Sequence, residues 1–164
     1  MPNVVMPHII YAIADTWLSH AVKDSYWIWP TMETMHFIGL SLLFGGLALA
    51  DLRLMGYMKN IPYKTLSKII PLAVSGFIVN AITGVLFFIA DPTRYYPNLA
   101  FRFKMLCILL AGLNLLFYQI KIKPMAEKWG PGDPTPWVAK CVGCASILLW
   151  IGVITGGRMI PFVE

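Results

Sequence analysis

The sequence predicts an all-α integral membrane protein: a four-helix antiparallel bundle with an N-terminal interfacial amphipathic helix. Three observations carry this expectation. The 164 residues are 58% hydrophobic and only 13% charged, where soluble domains carry about 25% charged residues. The apolar residues gather into four runs of about 20, the length of a helix that crosses the hydrocarbon core. Lys and Arg fall mainly between those runs, so the net charge of +5 reads as topology signal and lipid-headgroup contact rather than as a nucleic-acid footprint. Residues 1–164 are expected to form a single membrane domain.

Residues 8–23 predict the interfacial helix. Ile9, Ile10, Ile13, Trp17 and Ala21 recur at helical spacing, while Asp15, Ser19 and Lys23 take another face. The segment is too polar to span and suits the plane of the interface. Tyr26-Trp27-Ile28-Trp29-Pro30 follows, with aromatic residues at the expected headgroup level and a proline suited to the first turn of a helix. The first span is then about 31–50. A polar loop from Arg53 to Lys68 carries the turn signal Asn60-Ile61-Pro62. The second span is about 69–90, with Asn80, Thr83 and Gly84 in its middle. The third is about 102–120, after the polar, aromatic stretch 91–98, and carries Asn114. A Pro- and Gly-rich loop runs from Lys121 to Pro136, and the fourth span is about 138–156. The N-terminus lacks the positive charge of a signal peptide, so insertion is expected to rely on the spans themselves.

Orientation follows from the basic residues. Eight (Arg53, Lys59, Lys64, Lys68, Lys121, Lys123, Lys128, Lys140) lie on one side and five (Lys23, Arg94, Arg102, Lys104, Arg158) on the other. The bias predicts both termini outside the cytoplasm, on the periplasm-like side, and the first and third loops inside.

Ionisable groups at membrane depth are costly and are therefore functional candidates. Glu33 and His36 stand three residues apart near the start of the first span, on one helix face. A Glu-x-x-His pair ligates metal in some bundles, with further carboxylates from partner helices. No second copy exists here. His36 is also a candidate axial ligand for haem b, oriented through its other ring nitrogen. His20 or His8, folding over the bundle mouth, or Met32 or Met35, would supply the second ligand, with Glu33 behind the first. Spans two to four contain no histidine, so a haem would lie near the outer surface or between two chains. Copper is the other candidate, since His and Met suit it, and Met1, Met6, His8, His20, Met32, Met35 and His36 lie on or near one side. Weighed against these, Glu33 and His36 could satisfy each other or pair with Arg94, Arg102 or Lys104. Asp51, five helical turns beyond Glu33, and Arg53 are expected at a solvated helix end.

Cys141-Val-Gly-Cys144 lacks the following histidine of a haem-c attachment site. It reads as a small-residue stripe, with Gly143, Ala145 and Ser146, for close helix approach. Asn80, Thr83 and Asn114 read as interhelical hydrogen-bonding groups. No Gly-rich phosphate loop, nucleophile elbow or zinc-protease helix occurs, which points away from an enzyme.

With Pro30-x-x-Glu33-x-x-His36-x-x-Gly39, then Gly45 and Asp51-Leu52-Arg53-Leu54-Met55-Gly56, the chain resembles an uncharacterised family of small bacterial membrane proteins. The likeness continues through Pro71, Thr83-Gly84-Val-Leu-Phe87 and Phe101-x-Phe103-Lys104. It implies an inner-membrane location and a four-helix build, and no activity. There is also a loose likeness to membrane b-type cytochromes and copper-resistance membrane proteins, which place a histidine near a helix mouth.

The functional expectation is an accessory subunit of a respiratory or photosynthetic membrane redox complex, with a Glu33/His36 polar site at the outer mouth. The alternatives are a b-type haem protein passing electrons from quinol to a periplasmic acceptor, and a copper-handling or small-solute transporter. The expected partners are the lipid bilayer and other membrane proteins or further copies of this chain.

Overall fold

A computed structural model describes residues 6–163. All the regular secondary structure of the described residues is helical, with four helical segments long and apolar enough to cross a membrane. The chain is a multi-pass membrane protein.

The helices are α1 (His8–Ala14), α2 (Trp17–Lys23), α3 (Ile28–Leu54), α4 (Tyr63–Ser67), α5 (Ile70–Ala90), α6 (Pro92–Tyr95), α7 (Leu99–Phe117), α8 (Lys123–Ala126) and α9 (Trp137–Met159), with a π-helical turn, Tyr118–Ile122, between α7 and α8. The single interfacial helix expected over 8–23 is two short ones. Thr16 explains the break: its hydroxyl caps α2 by accepting from the Ser19 N–H, so a new helix starts where a continuous one would run. α2 lies across the start of α3 and the end of α5, while α1 packs on α6 and the end of α5. Ser19 donates to the Ala90 carbonyl at 3.1 Å, and Val22 packs with Met32 and Ala90.

The first span extends beyond 31–50 to Ile28–Leu54, and ends in a Schellman motif: Gly56, at φ +94°, lets the Tyr57 and Gly56 N–H groups return to the Leu52 and Arg53 carbonyls. The third span also outruns its expected end, so residues 121–126 are helix rather than loop. Pro124 has no N–H and would clash one turn back. The wider π turn just before it absorbs that defect.

The spans pack α5 on α3, α3 on α9, and α9 on α7. The inner pair is the more buried: 39% and 33% of the apolar windows of α3 and α9, against 17% and 22% for the α5 and α7 spans. The α3–α5 crossing is the closest. A Cβ added to Gly76 would lie 2.5 Å from the Gly39 carbonyl oxygen and 2.7 Å from the Leu43 nitrogen, so only glycine fits there. α3 meets α9 near its own end, where Gly143 rests on the Asp51 carbonyl. On the opposite, terminus-bearing side, Phe88 of α5 stacks on Phe101 of α7. The expected packing stripe on α9 is thus carried by Gly143, while Cys141 and Cys144 face outward. Asn114 does bond between helices, donating to the Val142 carbonyl at 3.1 Å, whereas the Asn80 amide donates within its own helix to Gly76.

Each membrane end has a buried polar clasp. On the terminus-bearing side Asn98 accepts from the Phe101 N–H, capping α7, and donates to the Ile160 and Val163 carbonyls past the end of α9. Replacing Asn98 with alanine removes a cap worth about 1 kcal/mol and strands two carbonyls worth about 1 kcal/mol each. The expected result is an earlier thermal transition in detergent, with faster proteolysis of the segment after Met159.

Candidate functional site

The polar residues of the spans fall at two depths. On the terminus-bearing side, His36 projects from the third turn of α3 towards α5. Its Nδ1 lies 2.7 Å from the Thr83 hydroxyl oxygen, and its ring sits edge-on to Phe87 at 5.6 Å between centroids. Gly84 leaves the ring edge uncovered: a Cβ there would be 4.0 Å from His36 Cε1. Thr83 has one proton to give, and the Val79 carbonyl, one turn back at 2.7 Å, takes it. With its proton so spent, the hydroxyl oxygen accepts from His36 Nδ1–H, the tautomer in which Nε2 keeps its lone pair; a hydroxyl proton turned to Nδ1 gives the other tautomer. Lys104 of α7 supplies the positive charge felt at His36. Its stem lies along α9, with the ammonium 3.5 Å from where a Gly157 Cβ would sit, and its ammonium has no hydrogen bond or ion pair among the described residues.

Glu33 does not join this group. It is exposed and makes no hydrogen bond to His36 and no ion pair among the described residues. Three residues of α-helix carry a side chain about 4.5 Å along the axis and about 60° around it, enough to leave Glu33 at the surface while His36 enters the bundle. Glu33 lies near α6 instead. Burial holds the Tyr95 phenol above its ordinary pKa, and the charges of Asp91 and Glu33 push the same way against Arg94. His8 and His20 are exposed as well. His20 turns to Asp24 of its own helix at 3.7 Å, and neither histidine hydrogen-bonds to His36. Met32 is buried in packing against Val22 and Ala90, Met35 faces outward, and Met1 lies outside the described residues. Among the described residues no three His, Cys, Asp or Glu side chains gather where a metal ion would sit. His36 therefore stands as a single donor with a polar partner and a nearby cation.

The second group lies at the loop-bearing side, where the sequence suggested a solvated helix end. Arg53 is instead wholly buried, at 0% exposure. Its Nε donates to the Ile61 carbonyl at 3.1 Å, one terminal nitrogen to Thr135 Oγ1 at 3.1 Å and the other to the Gly130 carbonyl at 3.3 Å. Its guanidinium also lies over the Trp129 ring. These partners come from both loops on that side. The Tyr63 and Tyr118 hydroxyls share a hydrogen bond beneath, in a core with Leu54, Ile122, Ala126, Ala139 and Val142. Asp51 is buried beside them and forms no ion pair with Arg53. Composition and periodicity gave no signal for this network, because Arg53 and its partners Gly130 and Thr135 stand 77 and 82 residues apart.

Two surface depressions mark the outside of the bundle, one between α7 and α9 around Leu99, Phe103, Thr155 and Met159, the other on α5 around Ile82 and Val85. Both are apolar, and neither is lined by His36 or Asp51.

The profile of a family of unknown function, DUF6644, matches residues 11–163, from within α1 to the end of the described chain. The chain belongs to DUF6644. The match takes in both polar groups, so His36 with Thr83 and Lys104, and Arg53 with Asp51, lie inside the DUF6644 domain. No curated protein and no solved structure matches the chain.

Proposed function

We propose that this DUF6644 protein is a small, non-enzymatic subunit of the bacterial inner membrane that associates with a respiratory or photosynthetic redox complex, and that His36 is the group it presents there. The observation that carries this reading is the His36–Thr83 bond. It orients a neutral imidazole in the terminus-bearing half of the membrane and leaves Nε2 as an acceptor, with the Lys104 ammonium as a neighbouring donor. An acceptor and a cation at membrane depth suit the oxygen-rich head of a lipid-soluble redox carrier, or a prosthetic group borne by a partner. The excess of Lys and Arg on the loop-bearing side supports an orientation with both termini periplasmic.

The same bond favours a second reading, in which the chain itself carries haem b on His36. A hydrogen-bonded Nδ1 is the ordinary orienting partner of an iron-bound imidazole, and Gly84 leaves room at the ring edge. His36 would fill one axial position, and the other would come from outside the spans.

The deciding experiment is mild-detergent purification of the tagged chain from its native membrane. It is followed by native sizing, a reduced-minus-oxidised absorption spectrum, and iron and copper analysis on the same sample. A colourless, metal-free chain running with a larger complex, and released from it by His36→Ala, is the expected result. A haem spectrum that His36→Ala abolishes in the isolated chain establishes the second reading. A colourless chain running alone overturns both.

A further inference from the structure

Asp51 is a buried acidic side chain that takes no part in the His36 site. It is 6% exposed, and its Oδ2 is fully buried with no hydrogen-bond partner. The groups facing it come from every element packed around it. From α9, the Ser146 hydroxyl faces the carboxyl, and Gly143 closes over the Asp51 backbone. From α4 and the π turn come the phenols of Tyr63 and Tyr118, hydrogen-bonded to each other, with Glu127 beyond them. On α3 itself, Arg53 spends its donors on Ile61, Thr135 and Gly130. Lys140 of α9 lies along Gly56, and it forms no ion pair with Asp51 among the described residues.

The surroundings are therefore three hydroxyls, apolar side chains and no paired cation. An ionised carboxylate in such a place is far more costly than the neutral acid, which keeps its proton instead. We propose that Asp51 is a proton-binding site, held as the carboxylic acid at the loop-bearing end of the bundle and loaded from the water on that side. Its position beside the α3–α9 contact makes proton loss and separation of those two helices the same event, since a carboxylate there needs water or a cation that the closed packing excludes.

The test is infrared spectroscopy of the full chain in lipid nanodiscs at neutral pH, in H2O and in D2O. The expected result is one protonated-carboxyl C=O band above the amide I region, slow to shift in D2O and absent from Asp51→Asn. Ser146→Ala, which keeps the acid but removes its hydroxyl neighbour, moves that band to higher frequency and serves as the second arm where Asp51→Asn fails to fold. A wild-type spectrum with no such band overturns the proposal. So does a band that survives Asp51→Asn, or one that does not move in Ser146→Ala.

Discussion

Arg53→Met is expected to lower the stability of the detergent-solubilised protein by about 2–4 kcal/mol, read by thermal or denaturant unfolding with Trp129 fluorescence as the probe. Two effects oppose each other. Removing the guanidinium relieves the desolvation of an unpaired charge. It also removes three charge-assisted hydrogen bonds and a cation–π contact, the bonds alone being worth about 1.5–3 kcal/mol each before non-additivity, and strands the Ile61 and Gly130 carbonyls. The second effect is the larger because one side chain ties together two loops that nothing else joins as firmly. Beside it stand the bond from the Gly132 N–H to the Lys59 carbonyl and the edge-on contact of Trp129 with Tyr63. Arg53→Lys separates the contributions. A lysine keeps the buried charge but lacks the planar fork that reaches three acceptors in different directions. It is expected to be at least as damaging as methionine. Recovery of wild-type stability by lysine would show that charge alone, and not the fork, holds the loops.

Gly76→Ala is expected to cost about 3 kcal/mol, at the upper end of overpacking penalties. The added methyl would lie 2.5 Å from the Gly39 carbonyl oxygen and 2.7 Å from the Leu43 nitrogen. Both are backbone atoms, which cannot swing aside as a side-chain tip can, so α3 and α5 must move apart. Gly45→Ala and Gly112→Ala are the controls. Nothing lies within 4 Å of a Cβ at either position, and alanine favours helix by up to about 1 kcal/mol. Both are expected to unfold at or slightly above the wild-type temperature. Equal losses at all three glycines would mean that the close crossing is not what makes Gly76 sensitive.

The spans were legible in the sequence because bilayer thickness imposes one strong requirement, a long apolar run, and nothing local competes with it. Their ends were less so. Residues 121–126 read as the start of a Pro- and Gly-rich loop, and the π turn that accommodates Pro124 leaves no mark in composition. His36 was visible as a histidine at membrane depth, but Glu33 was assigned to it on spacing alone. Spacing along one helix says which residues share a side; it does not say how far a neighbouring helix covers them. The partner that His36 takes, Thr83, stands 47 residues away. Arg53 and Asp51 were misjudged for a related reason. A charged pair at the end of an apolar run is usually at the water boundary; here the segment 130–135 folds back over Arg53, and α9 closes over Asp51.

The order in which the spans touch has a bearing on how the chain is built. The two most extensive contacts, α3 with α5 and α7 with α9, each join segments that are successive along the sequence, and α1 and α2 pack on the first of these hairpins. The first hairpin can therefore complete its close packing as it leaves the insertion machinery, before the second exists. The α3–α9 seam, with Gly143 on Asp51 and Arg53 reaching the segment before α9, has to wait for the last span. The residues that close it are the latest to be satisfied, so the carboxyl of Asp51 is wet through most of assembly and dries only when the chain is whole.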